Sequence, residues 1–191
     1  MHVVARIRAE DVAPQRWRNG RGWTRQLLTW PPADPWQLRI SLATIDAAGP
    51  FSAFPGVRRA LALVSGAGLL LRIDGQEHRL LPGAEPVHFD GAASIEALPL
   101  AGASTDLNLM ISAGHGELLR TLGAEPWTSR CTQRGLYSSV AGTLQAGGAA
   151  LAVPADSLVW LDDAAALPLR FAPAVTTPSA PAWWLGYAPP A

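Results

Sequence analysis

The chain has 191 residues and a mass of 20.2 kDa, which allows one domain or two small ones. Apolar residues make up 49% of it and charged residues 16%, a composition that excludes disorder along the whole chain. Fifteen arginines balance fifteen acidic residues, and there is no lysine. A net charge of zero argues against a general nucleic-acid or anionic-membrane binder.

The single cysteine and the start of the chain bear on the cellular compartment. Cys131 has no intramolecular disulfide partner, which fits a reducing environment. Arg6 and Arg8 interrupt the first residues before the apolar core of a signal peptide could form. No stretch approaches the roughly 18 uninterrupted apolar residues of a membrane span. We therefore expect a cytoplasmic protein that has no membrane partner.

Charge is unevenly divided along the chain. Residues 1–60 hold nine arginines against four acidic residues, whereas residues 61–191 hold six against eleven. This division fits a basic face that meets an acidic one, either within one chain or between the subunits of a homodimer. It equally fits a pocket for a small anion built from the first sixty residues.

Glycine and proline recur every eight to twelve residues and separate short runs of alternating apolar and polar residues. This pattern is typical of an all-β sandwich or barrel. Strands are predicted over residues 3–8, 24–30, 36–45, 59–64, 68–73, 77–81, 87–89, 94–100, 106–112, 127–134, 136–140, 150–153, 158–161, 167–171 and 183–187. Only residues 117–122 carry a short helical signal.

A faint internal repeat suggests two related β-units. Residues 81–90 align with residues 153–162 at an offset of about 72, and each segment follows a glycine-containing hairpin. We therefore predict a first β-unit over residues 1–112 and a second, smaller one over residues 113–191, packed as one globular body.

Motifs for metal, nucleophilic or cofactor chemistry are sparse. The four histidines include no His-x-His pair, and only His78 and His88 lie on neighbouring predicted strands. There is no Gly-x-Ser-x-Gly elbow, no legible Cys–His pairing and no dinucleotide-binding loop. We expect no metal and no cofactor.

The densest polar segment is residues 16–25, with sequence RWRNGRGWTR. Arginine binds a carboxylate through a planar fork, and tryptophan offers a flat wall to a planar ligand. Asn19-Gly20 is typical of a tight turn that exposes backbone N–H groups. These residues suit the capture of a small carboxylate, but the segment by itself favours a surface hairpin of tryptophans packed on arginine stems, which needs no ligand.

Two further strands place polar side chains on one face. In residues 36–42, Arg39 and Ser41 alternate with an apolar stripe. In residues 105–110, Asp106 and Asn108 share a face, which indicates a buried hydrogen-bonding pair or the pairing of Asp106 with an arginine of the segment 16–25.

Five ordered segments together resemble the HutD/Ves family. They are residues 17–25 (WRNGRGWTR), 36–43 (WQLRISLA), 49–59 (GPFSAFPGVRR), 89–91 (FDG) and 106–110 (DLNLM). The first stands where the family reads W-K-N-G-G-G-x-T-x-E. Beyond about residue 115 the likeness lies only in length and strand pattern.

The resemblance implies a cupin-like fold of two fused β-units, associated with bacterial histidine utilisation. It implies binding of a small carboxylate intermediate, such as urocanate or formylglutamate, with an effect on pathway flux and no assigned catalytic step. Four departures from the family pattern should change the local salt bridges: Arg18 replaces Lys, Arg21 replaces Gly, Gln26 replaces Glu and Arg58 replaces Asp.

The leading hypothesis is therefore a metal-independent protein that binds a small carboxylate and no nucleic acid. The predicted ligand contacts are Trp17, Asn19, Arg39, Ser41, Phe51, Ser52, Arg59 and Asn108. The alternative is a metal-independent isomerase or hydrolase that acts on a carboxylated metabolite, with Asp106, His78 or His88 as the general base. A third reading is a regulatory protein that binds another protein through its tryptophan-rich surface.

Overall fold

The computed structural model describes residues 2–32, 34–121, 125–162, 167–175 and 182–190. The described residues contain a short 3-10 helix, Ala9–Asp11, and eighteen strands. The strands are β1 (His2–Arg8), β2 (Gln15–Arg16), β3 (Gly22–Trp30), β4 (Leu38–Ile45), β5 (Gly49–Pro50), β6 (Arg58–Ser65), β7 (Leu69–Ile73), β8 (Gln76–Leu80), β9 (Val87–Asp90), β10 (Ile95–Pro99), β11 (Ser104–Ile111), β12 (His115–Arg120), β13 (Gln133–Ser138), β14 (Gly142–Ala146), β15 (Ala149–Val153), β16 (Ser157–Asp162), β17 (Leu169–Pro173) and β18 (Ala182–Ala188). The predicted all-β class is confirmed. Among the described residues, no helix is long and apolar enough to cross a bilayer.

The strands fall into two compact units. The central unit is Ala13–Ala113, and the terminal unit combines Met1–Val12 with Gly114–Ala191. The sequence-based boundary after residue 112 lies next to this junction, but it assigned the first twelve residues to the first unit. They belong to the terminal unit because β1 pairs antiparallel with β16, for example Arg6 with Val159.

The central unit contains a six-stranded sheet in the order β2-β3-β4-β11-β6-β9 and a four-stranded sheet in the order β5-β10-β7-β8. Every pairing is antiparallel. Buried side chains from both sheets form one apolar cluster: Ile45, Leu61, Leu63, Leu69, Leu71, Leu80, Ile95 and Ala97. This cluster fixes the inner face of the six-stranded sheet.

The terminal unit contains a five-stranded sheet in the order β1-β16-β13-β18-β12 and a three-stranded sheet in the order β15-β14-β17. Leu136 and Trp184 of the larger sheet share an apolar cluster with Leu144 and Phe171 of the smaller one. Trp184 also stacks on Trp127, with ring centroids 5.2 Å apart and planes 7° from parallel.

Two predicted elements are wrong. Residues 117–120 belong to strand β12 rather than to a helix, because His115–Arg120 pair with β18, and residue 122 lies outside the described residues. The strand predicted over residues 127–134 is mostly irregular chain. Trp127 forms only an isolated bridge to Leu169, and the next strand begins at Gln133.

Leucine truncation tests the assignment of the central core. Leu71 is 0% exposed, so Leu71→Ala should lower the free energy of unfolding of the central unit by about 2–5 kcal/mol, measured by urea denaturation. Leu98, which is 44% exposed in the same sheet, provides the matched control. Equal losses for Leu71→Ala and Leu98→Ala would contradict the assignment.

Candidate functional site

A cavity of about 560 Å³ opens in the central unit. It is lined by the turn between β2 and β3, by strands β4 and β11, and by the segment from β5 to the start of β6. All eight residues predicted as ligand contacts line this cavity: Trp17, Asn19, Arg39, Ser41, Phe51, Ser52, Arg59 and Asn108. The structure brings them together, and their role in binding stays a prediction.

The register of the six-stranded sheet places the polar residues on one face. Met110 of β11 pairs with Arg39 on one side and with Arg59 on the other. Two residues along, Asn108 pairs with Ser41 and with Leu61 in the same way. Directly paired residues project from the same face, so two arginines flank one methionine and a serine–asparagine pair lies beside them. The alternation predicted for β4 accounts for this arrangement.

Arg59 is a buried cation enclosed by aromatic rings. Arg59 is 6% exposed. Its guanidinium carbon lies 5.3, 5.6 and 5.0 Å from the ring centroids of Phe51, Phe54 and Phe89. Nη1 makes a long 3.5 Å contact to the Ser52 carbonyl oxygen, and Nε has no hydrogen-bond partner among the described residues. Burial lowers the pKa of Arg59 to about 10, against the attraction of Asp106, so the side chain stays charged at neutral pH.

Arg39 is a second, half-buried cation on the same face. Burial lowers its pKa, while the carboxylate of Asp34 raises it. Its Nε also lacks a hydrogen-bond partner in the described part of the chain. The like charge of Arg39 further lowers the pKa of Arg59. An anion between the two guanidinium groups would relieve both the repulsion and the missing hydrogen bonds.

Asn19 and Trp17 form the rim of the cavity. Gly20 has φ of +70°, as expected for the predicted tight turn, and Asn19 Oδ1 accepts a 3.1 Å hydrogen bond from the Arg21 backbone N–H. The Trp17 indole N–H donates to Thr24 Oγ1 at 2.7 Å, and its ring meets the ring of Phe51 edge to face at 5.7 Å. A flat apolar wall therefore adjoins the cationic part of the cavity.

Asp106 occupies a different environment from the one predicted. It is 0% exposed, and neither carboxyl oxygen has a hydrogen-bond partner in the described part of the chain. The hydrogen-bonded pair with Asn108 is therefore absent, and the charge that acts on Asp106 is that of Arg59, outside the arginine-rich segment 16–25. Burial raises the pKa of Asp106 to about 8, with Arg59 opposing the shift. Asp106 does not line the cavity.

The two histidines considered as bases lie elsewhere. His78 is on β8 and His88 on β9, strands of different sheets, and neither lines the cavity. Met110 was not predicted from the sequence, although its apolar side chain lies between the two arginines. Its position in the alternating pattern of β11 is the feature that could have identified it.

Metal-ligating residues are absent from the cavity lining but present in the terminal unit. Among the described residues that line the cavity there is no histidine, cysteine or carboxylate. His115, Glu117 and Cys131 of the terminal unit have ligand atoms within 4.8 Å of one another. The spacing of the histidines does not reveal this mixed group, because it contains only one histidine.

Comparison with known proteins decides the family. The model of the HutD family matches residues 9–176, most of the chain. The chain belongs to the HutD/Ves family. This confirms the resemblance found in the five sequence segments.

Two relatives illustrate the similarity. An uncharacterised 21.2 kDa protein in the hutC 3' region of Pseudomonas putida is 33% identical over 112 residues, 58% of this chain. That alignment spans 59% of the relative's own length. Protein Ves of Citrobacter koseri is 31% identical over 133 residues, 69% of this chain and 70% of that protein.

Solved structures establish the likeness of fold. HutD from Pseudomonas fluorescens SBW25 covers 98% of this chain and 99% of its own, with a TM-score of 0.82 and 23% identity. A cupin 2 conserved barrel domain protein from Leptotrichia buccalis covers 98% of each chain, with a TM-score of 0.55 and 11% identity. The fold is therefore cupin-like.

The buried carboxyl of Asp106 makes stability depend on pH. Between its ordinary pKa of 3.8 and about 8, the folded chain holds a proton that the unfolded chain has lost. The free energy of unfolding therefore falls as pH rises through that window. Asp106→Asn removes this contribution, so the stability of wild type relative to the variant should decline between about pH 5 and pH 8, measured by urea denaturation.

Glu85→Gln is the matched control, because Glu85 is an exposed carboxyl of the same unit. Its difference from wild type should not follow that trend. A constant difference between wild type and Asp106→Asn across this range would contradict the assignment.

Proposed function

We propose that the cavity of the central unit binds a small carboxylate intermediate of histidine degradation, such as urocanate or formylglutamate, and so modulates flux through that pathway. The observation that carries the proposal is the pair of guanidinium groups, Arg39 and Arg59, on either side of Met110 at one cavity. Each has an Nε–H without a hydrogen-bond partner in the described part of the chain.

The lining residues fit the two ends of such a ligand. Arginine offers two parallel N–H donors to a carboxylate, and Asn108 Oδ1 is a buried acceptor without a partner in the described part of the chain. Trp17 and Phe51 supply apolar walls for a planar imidazole or amide. A cavity of about 560 Å³ is within the range of small-molecule sites.

The link to histidine degradation is supported by the relatives. The Pseudomonas putida protein is named for the hutC 3' region, and the Pseudomonas fluorescens HutD structure was determined in a formate condition. Formate is the smallest carboxylate, so it serves as a probe for the guanidinium pair alone.

A metal-independent isomerase or hydrolase is the rival function. It needs a general base in contact with the substrate. Burial raises the pKa of Asp106 to about 8, but Asp106 does not line the cavity. This favours a binding protein. Incubation with each compound followed by NMR separates the two functions, because an enzyme yields a new product and a binder returns the compound unchanged.

The two units also support a bicupin-like arrangement, and we infer that they are versions of one β-unit. In chain order, β4 and β6–β11 of the central unit correspond to β12–β18 of the terminal unit. The sheet order β4-β11-β6-β9 then matches β12-β18-β13-β16, and β10-β7-β8 matches β17-β14-β15. An experimental structure tests this by pairwise superposition, and corresponding strands that cross at different angles would overturn it.

Charge removal tests the carboxylate site. A ligand at 100 times its dissociation constant adds about 2.7 kcal/mol, which raises the melting temperature by roughly 5–10 °C at about 2–4 °C per kcal/mol. Urocanate, formylglutamate, formiminoglutamate and formate should be compared by thermal shift and calorimetry. Arg39→Gln should weaken binding by about tenfold or more, because a charge-assisted hydrogen bond contributes about 1.5–3 kcal/mol.

The matched control is Arg79→Gln, which removes an exposed arginine of β8 outside the cavity. It should bind the ligand as wild type does. If none of the four compounds shifts the melting temperature, or if both variants weaken binding equally, the carboxylate proposal fails.

Removal of the aromatic wall tests the orientation of the ligand. Trp17→Leu should weaken binding of urocanate, whose planar ring needs the wall, and leave binding of formate nearly unchanged. Calorimetry with both compounds measures the difference. An equal loss for the two ligands would place Trp17 outside the ring-binding part of the cavity.

A further inference from the structure

The terminal unit holds a mixed cluster of metal-ligating side chains, none of which lines the cavity of the central unit. His115 and Glu117 are two residues apart on β12, so both side chains project from one face of the strand. His115 Nε2 lies 3.6 Å from Glu117 Oε1. Cys131 lies in the chain that precedes β13, and its thiol completes a group of three ligand atoms within 4.8 Å of one another.

A glycine makes room for the cluster. Glu117 pairs with Gly186 of β18, and Gly186 pairs on its other side with Arg134 of β13. A Cβ built at Gly186 would lie 2.9 Å from Cys131 Sγ and 3.3 Å from Glu117 Oε2. The thiol and the carboxylate therefore share the space above this glycine, and the other oxygen of the same carboxylate faces His115.

The position of the cluster corresponds to that of the carboxylate cavity. By the strand correspondence, β12, β18 and β13 match β4, β11 and β6. Arg59 pairs with residue 89 and Arg134 with residue 161, which the sequence repeat aligns, so the row Glu117–Gly186–Arg134 takes the place of Arg39–Met110–Arg59. A carboxylate stands where the central unit has a cation, and a glycine stands where it has a methionine. The third position is an arginine in both rows, so the terminal unit has one carboxylate and one guanidinium where the central unit has two guanidinium groups.

We propose that His115, Glu117 and Cys131 bind one divalent transition-metal ion of the zinc class. Thiolate, imidazole and carboxylate are the three ligand types that zinc accepts, at about 2.3, 2.0–2.1 and 2.0–2.2 Å respectively. Tetrahedral bonds of these lengths place neighbouring ligand atoms about 3.3–3.7 Å apart. The His115–Glu117 distance already meets this, and the exposed His115 side chain is free to adjust toward the thiol. A fourth position remains for water or an exchangeable anion.

Charge and protonation are compatible with such a site. Burial and the neighbouring Glu117 raise the pKa of the Cys131 thiol, so the metal-free chain keeps this proton. A metal ion would displace it, and the two charges of the ion would be balanced by the thiolate and the carboxylate. The metal ion, the thiolate and the carboxylate would then carry no net charge together. The buried Arg134 guanidinium, whose charge lowers the pKa of Cys131, would therefore not be repelled by the occupied site.

Cobalt substitution gives a direct readout of the proposed site. Cys131 is the only cysteine of the 191 residues, so a thiolate-to-cobalt charge-transfer band in this chain can come from no other residue. We expect one Co²⁺ per chain with this band, displaced by Zn²⁺, and a rise in melting temperature with Zn²⁺. Cys131→Ser should abolish the band.

Ligand variants complete the test. His115→Gln and Glu117→Gln should each weaken Zn²⁺ binding by about tenfold or more, measured by competition with a chromophoric chelator. His88→Gln removes an exposed histidine of the central unit and should bind Zn²⁺ as wild type does.

The proposal is overturned by absence of the band, or by Zn²⁺ affinity unchanged in His115→Gln and Glu117→Gln. His115 is exposed, so its variant keeps the test decisive even if Cys131→Ser fails to fold.

Discussion

The antiparallel register of β4, β11 and β6 is the constraint on which the candidate site depends. It places Arg39, Met110 and Arg59 in one cross-strand row, and it places Ser41 and Asn108 in the next. A slip of one residue in any of these strands would turn its polar side chains to the opposite face. The apolar cluster of the central unit includes Leu61, two residues from Arg59, so core packing and site geometry are fixed by the same pairing.

Burial of charge sets the energetics of that row. Burial removes the hydration of the Arg59 guanidinium. Its contacts with three aromatic rings offset only part of the lost hydration free energy. The carboxyl of Asp106 offsets little of the Arg59 charge at neutral pH, because its raised pKa keeps it mostly protonated. Arg39 adds repulsion. The folded chain therefore holds an incompletely compensated positive charge at a cavity, which is the physical basis of the proposal that this cavity binds an anion.

Much of the central unit could be predicted from sequence because its signals are local. The alternation in residues 36–42 placed Arg39 and Ser41 on the polar face, and Asn19-Gly20 predicted a turn. The helix predicted over residues 117–122 was wrong because the helix propensity of Glu-Leu-Leu is outweighed by the pairing of residues 117–120 with β18. The missing hydrogen bonds of Asp106 could not be predicted, because they depend on which groups the fold brings near it.

The mixed cluster of His115, Glu117 and Cys131 was missed for a related physical reason. Two of its members are two residues apart, but the third lies on another segment, and only the pairing of β12 and β13 with β18 brings it near. Gly186 has no side chain to reveal its role in a sequence pattern, although it provides the space that the thiol and the carboxylate occupy. Under the proposed strand correspondence, two positions of one row differ between the units, since Glu117 and Gly186 replace Arg39 and Met110 while the third position is an arginine in both.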